Sequence, residues 1–291
     1  MRLPELEYLE PRTVAEACAL LAEGPERSAP FAGGTDVLVH LRSGTFARSR
    51  LVSLHAIEEL HDIGYSDRTG LLIGAMVTVN RVANNESVRA SYPGIVDAAL
   101  GLAADQVRNQ ATVVGNLCMA VPSADMAPIL LAHDARLRMV SPDGEREVAL
   151  RDFFVGPRRT VLGPAEVVVA IEVPPPDAGA GDAVQRQGGR VSLSLPIASA
   201  AAVVTMQGEV CSRAAVALGA VAPVPVLAAE VGGLLAGRRL TAEVLDEAGA
   251  LASAAARPID DLRATKAYRL EIVKVLTRRA IAGAAERARA P

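Results

Sequence analysis

The chain reads as an α+β protein built in two parts, and three observations carry that reading. Short β-branched runs alternate with capped helical patterns up to Val173. Three consecutive prolines, Pro174–Pro176, then interrupt the chain, and beyond them two long apolar runs precede two long helical patterns. With 291 residues, 51% of them hydrophobic, the chain can bury a sizeable core and has the length of about two domains. The predicted parts are 1–176, divided into subdomains of about 1–57 and 58–176, and a smaller α+β part over 183–291.

In chain order, Thr13-Val-Ala-Glu16 is a capping box and predicts a helix to about Glu23, where Gly24-Pro25 stops it. Pro30 to Gly34 reads as a strand end. Thr35-Asp36 caps a short helix over Val37–Arg42, closed by Gly44. Arg50–Ile57 and Gly70–Val79 read as strands, the second followed by a helical stretch from Asn80. Ala124–Ala132 is expected to be helical. Arg136–Val140 and Glu145–Leu150 should form a hairpin about Ser141-Pro-Asp-Gly144, whose Pro and Gly suit a type I turn. Glu166–Val173 is a strand, and Pro174 to Asp182 is the linker. Val191–Met206 and Ala214–Val221 follow as strands, then Thr241–Ala256 and Thr265–Arg287 as helices. The last sets Leu270, Val273, Leu276 and Ile281 near one stripe and Arg269, Lys274, Arg278 and Arg279 away from it, as a surface helix does.

Composition excludes whole classes of function. A formal net charge of −3 gives no electrostatic reason to expect nucleic acid or an anionic membrane as partner. Four Tyr, four Phe and no Trp leave little for aromatic stacking. The uncharged stretches Val191–Gly208 and Ala214–Ala229 are broken by Pro196, Pro223 and Pro225 and are too short to span a bilayer. Met1–Arg12 carries Glu5, Glu7 and Glu10 and no apolar stretch, so no secretory leader is expected. Cys18, Cys118 and Cys211 lie far apart with no Cys/His cluster, which fits a reducing, cytoplasmic compartment and argues against a metal centre within the chain. His40, His55, His61 and His133 are scattered and read as solvated or core residues, and Cys118 as a packing residue.

Two glycine-containing turns draw attention: Ala32-Gly33-Gly34-Thr35-Asp36 and Thr112-Val113-Val114-Gly115-Asn116. Glycines that lead into a helix expose backbone N–H groups to an anion, and phosphate is the natural ligand; a plain tight turn with a capped helix is the alternative for either. Neither a Walker sequence nor GxGxxG is present, so a P-loop or an ordinary Rossmann site has no support.

Phe31-Ala-Gly-Gly-Thr-Asp-Val-Leu38, Ile73-Gly-Ala-Met-Val-Thr78, Gln106-Val-Arg-Asn-Gln-Ala-Thr-Val-Val-Gly-Asn116 and Pro122-Ser-Ala-Asp125 resemble the FAD-binding medium subunit of molybdenum hydroxylases, the carbon monoxide dehydrogenase and xanthine dehydrogenase family. The resemblance continues through Asp152-Phe-Phe-Val-Gly156, Glu172-Val-Pro174, Leu218-Gly-Ala-Val-Ala-Pro223 and Ala267-Tyr-Arg269, nearly the whole chain in order. It implies a two-subdomain FAD-binding domain of the vanillyl-alcohol-oxidase (PCMH-like) type, followed by the C-terminal domain of the carbon monoxide dehydrogenase flavoprotein.

It also implies that both glycine turns hold the FAD diphosphate, that Asp125 contacts FAD hydroxyls, that Val168 faces the flavin, and that Arg186 stands where the family has a Lys. From periodicity alone, Val168 is plain strand core. Val114 occupies a place where the family usually has glycine, so either its φ stays negative or the turn has shifted away from the phosphate. Arg108 could steady the second turn or the flavin edge, or form a surface salt bridge.

The implied function is noncovalent FAD binding and electron transfer, with molybdenum cofactor and [2Fe-2S] clusters only on a large and a small partner subunit, and NAD or oxygen as acceptor. The alternatives are a stand-alone FAD-dependent oxidoreductase and an assembly subunit that has lost FAD.

Overall fold

The computed structural model describes residues 5–190 and 193–289. Met1–Pro4, where the reading of the leader begins, and Val191, where a strand is predicted to start, lie outside the described residues.

Strands β1 (Glu7–Leu9), β2 (Ser28–Phe31) and β3 (Arg50–Ser53) form a parallel sheet in the order β1-β3-β2, with helices α1 (Val14–Ala22) and α2 (Val37–Ser43) as the crossovers. Thr13 caps α1 as predicted, accepting from the Glu16 amide at 3.2 Å, while the Glu16 carboxylate accepts from the Arg12 amide at 2.8 Å. The β3 strand ends at Ser53, shorter than expected, because the chain then turns and the Leu54 amide bonds Phe31 O.

A second sheet, antiparallel, has the order β4-β5-β10-β6-β7. Between β4 (Ile63–Ser66), β5 (Gly70–Gly74) and the next strand lie six short helices: α3 (Val79–Asn84), α4 (Glu86–Ser91), α5 (Pro93–Gly101), α6 (Asp105–Arg108), α7 (Val113–Cys118) and α8 (Ala127–Ala132). Thr78 and Asn85 cap α3 and α4, and Pro93 opens α5 where a missing N–H costs nothing. The predicted hairpin joins β6 (Arg136–Ser141) to β7 (Gly144–Ala149), with Ser141 opposite Gly144. After α9 (Leu150–Phe153) and the small hairpin β8 (Phe154–Gly156) and β9 (Arg159–Thr160), the central strand β10 (Val167–Val173) closes the sheet. Every β10 residue except Glu172 is buried.

The third sheet corrects the predicted linker. Strand β11 starts at Ala180, inside the stretch read as linker, and runs to Gly188 with Asp182 2% exposed. It pairs with β12 (Pro196–Gln207), which pairs with β13 (Val210–Gly219), and the sheet is completed by β14 (Val226–Leu227) and β15 (Arg238–Arg239). Helices α10 (Ala229–Leu235), α11 (Ala242–Ala255) and α12 (Lys266–Arg289) pack on it. Strand β12 is buried on both faces. Ala198, Ala200, Ala202 and Val204 enter the core under α11 and α12, whereas Ala201, with Ala217 of β13, enters the core of the N-terminal sheets. Arg269 departs from the predicted surface position: it is 3% exposed and donates to Ile197 O, Ala220 O and Asp261. No described helix is long and apolar enough to cross a membrane.

Candidate functional site

The first glycine turn lies at the edge where the C-terminal ends of β2 and β3 meet, because adjacent parallel strands deliver their following loops to one side. Two glycines are fixed there by contact. A Cβ on Gly33 would lie 2.0 Å from the carbonyl oxygen of Gln110, so the first turn rests directly on the backbone that leads into the second. Gly34 has φ +69° and packs under the Phe31 ring, 2.8 Å from where its Cβ would be.

The predicted cap at Asp36 does not form. Its backbone is αR rather than extended, and its carboxylate makes no hydrogen bond to the first turn of α2. Upstream of that helix, the amides of Gly33, Gly34, Thr35 and Asp36 have no acceptor among the described residues. The first three of them border a cavity of about 410 Å³ walled by Phe31, Gly33, Thr35, Leu38, His55 and Gln110.

The second turn is held differently. Thr112 pairs with Thr78 in an isolated bridge, with the Val79 amide on Ala111 O at 2.8 Å and the Val113 amide on Val77 O at 3.3 Å. Thr112 caps α7 through the Gly115 amide at 3.0 Å, and a Cβ on Gly115 would crowd that hydroxyl at 2.8 Å. Val114 is 5% exposed inside α7 and is absent from the residues with positive φ, so of the two possibilities left open, its φ stays negative. Since Val113, Gly115 and Asn116 already use their amides within the protein, this turn offers fewer donors than the first. Burial pushes the Cys118 thiol up to about 12, which suits a packing residue.

Asn116 accepts from the Met126 amide at 3.3 Å, which brings Asp125 to the same region. There Asp125 meets Arg186, Oδ1 to Nε 3.3 Å, so two residues that the resemblance implied for the site form one pair across the fold. Arg186 also donates to Gly101 O and, at 2.5 Å, to Ser194 O. Burial raises the Asp125 carboxyl to about 6, with Arg186 pulling the other way. Arg108 braces the approach to the second turn through Asn80, Leu102 O and Asp105. Val168 is 3% exposed in the core at a bulge of β10, as periodicity alone suggests.

Sequence reasoning missed His55 and Gln110, both lining the cavity. His55 follows β3 immediately, and the parallel pairing of β3 with β2 is the signal that would have placed it beside the first turn. Desolvation holds its imidazole below the usual range, His61 adding to that and Glu10 opposing it. Among the described residues, no group of three or more His, Cys, Asp or Glu could hold a metal ion. Open amides over glycine, at the wall of a cavity, are the donor set a dinucleotide diphosphate requires.

Comparison with known proteins agrees along the whole chain. Residues 4–176 match the family model of the FAD binding domain in molybdopterin dehydrogenase, and residues 184–284 that of the CO dehydrogenase flavoprotein C-terminal domain. The carbon monoxide dehydrogenase medium chain of Afipia carboxidovorans is 33% identical over 97% of this chain and 98% of its own length. The xanthine dehydrogenase FAD-binding subunit of Escherichia coli O157:H7 is 30% identical, covering 95% of each. Among solved structures, the reconstituted CO dehydrogenase from Oligotropha carboxidovorans superposes with a TM-score of 0.95 at 33% identity, over 99% of this chain and 100% of that one. Quinoline 2-oxidoreductase from Pseudomonas putida 86 does so with 0.93 at 30% identity, over 99% of each. Two matched domain models, near-complete coverage and a turn whose amides lie open for a diphosphate place this chain in the family of FAD-binding medium subunits of molybdenum hydroxylases.

Proposed function

We propose that the chain binds FAD noncovalently and relays electrons from the iron–sulfur clusters of a partner to an external acceptor such as NAD or oxygen. The observation that carries this is the run of open amides from Gly33 to Thr35 over a cavity, set in place by the contact of Gly33 with Gln110. When bound, FAD supplies reversible one- and two-electron chemistry. The chain's own work is to bind and orient it. The first turn donates to the diphosphate, Thr112 to Asn116 flank the same ligand, and the Asp125–Arg186 pair presents a carboxylate to the FAD hydroxyls. Val168 supports this framework from within β10. Molybdenum cofactor and [2Fe-2S] clusters sit on a large and a small partner subunit, which leaves this chain no carbon–hydrogen bond to activate. Three unpaired cysteines support a cytoplasmic location.

The test is anaerobic flavin spectroscopy of the purified, FAD-loaded chain. A chemical reductant should bleach the flavin bands, whereas aldehydes, N-heterocycles and carbon monoxide should leave them unchanged until the partner subunits are added. Bleaching by an organic substrate in the chain alone would replace the relay with a stand-alone oxidoreductase, and a chain that takes up no FAD would leave the assembly reading.

A further inference from the structure

Tyr8, Ser53 and His55, from β1, β3 and the loop after β3, form one hydrogen-bonded cluster, of which His55 lines the cavity at the first turn. The Ser53 oxygen has three neighbours: Tyr8 donates its O–H at 2.9 Å, the His55 amide donates at 3.3 Å, and His55 Nδ1 lies 3.2 Å away. A hydroxyl has two lone pairs and one hydrogen. The two incoming donors occupy both lone pairs, so the Ser53 hydrogen is directed to Nδ1, which accepts it. The proton of the neutral imidazole then resides on Nε2. Nε2 has no hydrogen-bond partner among the described residues, while the ring lines the cavity together with Gly33, Gly34 and Thr35. Phe31 supports the imidazole from one side, ring centroids 5.9 Å apart and tilted by 37°, and is itself met edge-on by Tyr8 at 5.9 Å. His61, which reaches the His55 carbonyl at 3.0 Å, and Glu10 are the charged groups nearby.

We propose that His55 is a dinucleotide-binding residue whose Nε2–H donates to a phosphate oxygen held over the open amides of the first turn, with Ser53 and Tyr8 as the positioning residues that fix its tautomer. The proposal rests on the FAD reading and assigns a side chain to a site otherwise built from backbone. The lowered basicity of the imidazole agrees with a neutral donor at physiological pH.

The experiment titrates the full-length apoprotein and its variants with FAD and, separately, with ADP, which carries the diphosphate without the flavin. His55→Phe preserves the ring against Phe31 and removes the donor; it should weaken both ligands roughly tenfold or more. His55→Gln, which restores an N–H, should recover part of the loss. Nitrogen-15 spectra of wild type should show the Nε2–H tautomer of His55, shifting when ADP is added, and Ser53→Ala should mix the tautomers. If wild type binds FAD and His55→Phe binds FAD and ADP as tightly, the proposal is overturned while the FAD reading stands. Failure of wild type to bind FAD would overturn both. If a variant melts early, the wild-type spectra decide: an Nε2 signal unmoved by ADP refutes the contact.

Discussion

At Gly33 one methyl group decides whether two loops remain together. The clash awaiting a Cβ is with the Gln110 backbone and not with a ligand, so Gly33→Ala is expected to push the loops apart, costing roughly 1–3 kcal/mol of stability and reducing FAD retention. Thermal melts of the apoprotein and the flavin-to-protein absorbance ratio measure the two effects; unchanged values in both would contradict the contact. Asp125 gives a pH signature. Its folded carboxyl titrates near 6 against 3.8 for the ordinary group, so the folded state binds the proton more tightly than the unfolded chain between those values. Stability should therefore fall as pH rises through that window, by up to about 1.4 kcal/mol per unit from this group, and level off above it. Asp125→Asn should flatten the slope in denaturant titrations. The two glycine turns were legible as sequence because glycine marks unusual backbone. The conformation of Val114 was not, since its φ depends on α7 beginning one residue earlier, and His55 reaches the site through a strand pairing that no local pattern announces.

Among the elements, β11 is tied to α5 by the Asp182 side chain. Asp182 accepts the Gly94 amide at the start of α5 on one oxygen and faces His133 Nε2 with the other, both at 2.8 Å, and the side chains of Asp182 and His133 are 3% and 5% exposed. Gly94 makes this possible, because its Cβ would sit 2.8 Å from the Asp182 carboxyl carbon. Asp182→Ala leaves an amide and an imidazole buried without their acceptor and is expected to cost about 3 kcal/mol, read as a lower denaturant midpoint at unchanged slope. A change under 1 kcal/mol would show that water replaces the carboxylate. Composition explains why β11 was hidden: a run of Gly, Ala and Asp after three prolines reads as a linker, and only pairing with β12, from Ala180 to Gly188, makes it a strand. Arg269 was misplaced for a related reason. Its guanidinium reads as surface until two carbonyls from distant strands and loops, Ile197 O and Ala220 O, and the nearby Asp261 carboxylate surround it. The Thr13 cap of α1 and the β6–β7 hairpin, whose signals lie within a few residues, were read correctly, whereas the cap expected at Asp36 does not form.

For the molecule as a whole, the order of the elements was legible and their assembly into one body was not, because alanines carry little pattern. Strand β12 is the example: its run of Ala and Val looks like the core of a separate unit, yet Ala201 belongs to the core built by the first 173 residues, which Val184, Val203 and Ala215 also cover. This has a consequence for the newborn chain. During synthesis, strands β1 to β10 and the helices among them leave the ribosome with one apolar wall bare, and that wall is covered only once β11, β12 and β13 have been added. The amino-terminal part is therefore expected to complete its core only after translation has moved well past it, which leaves the nascent chain open to premature capture by a chaperone or by another copy.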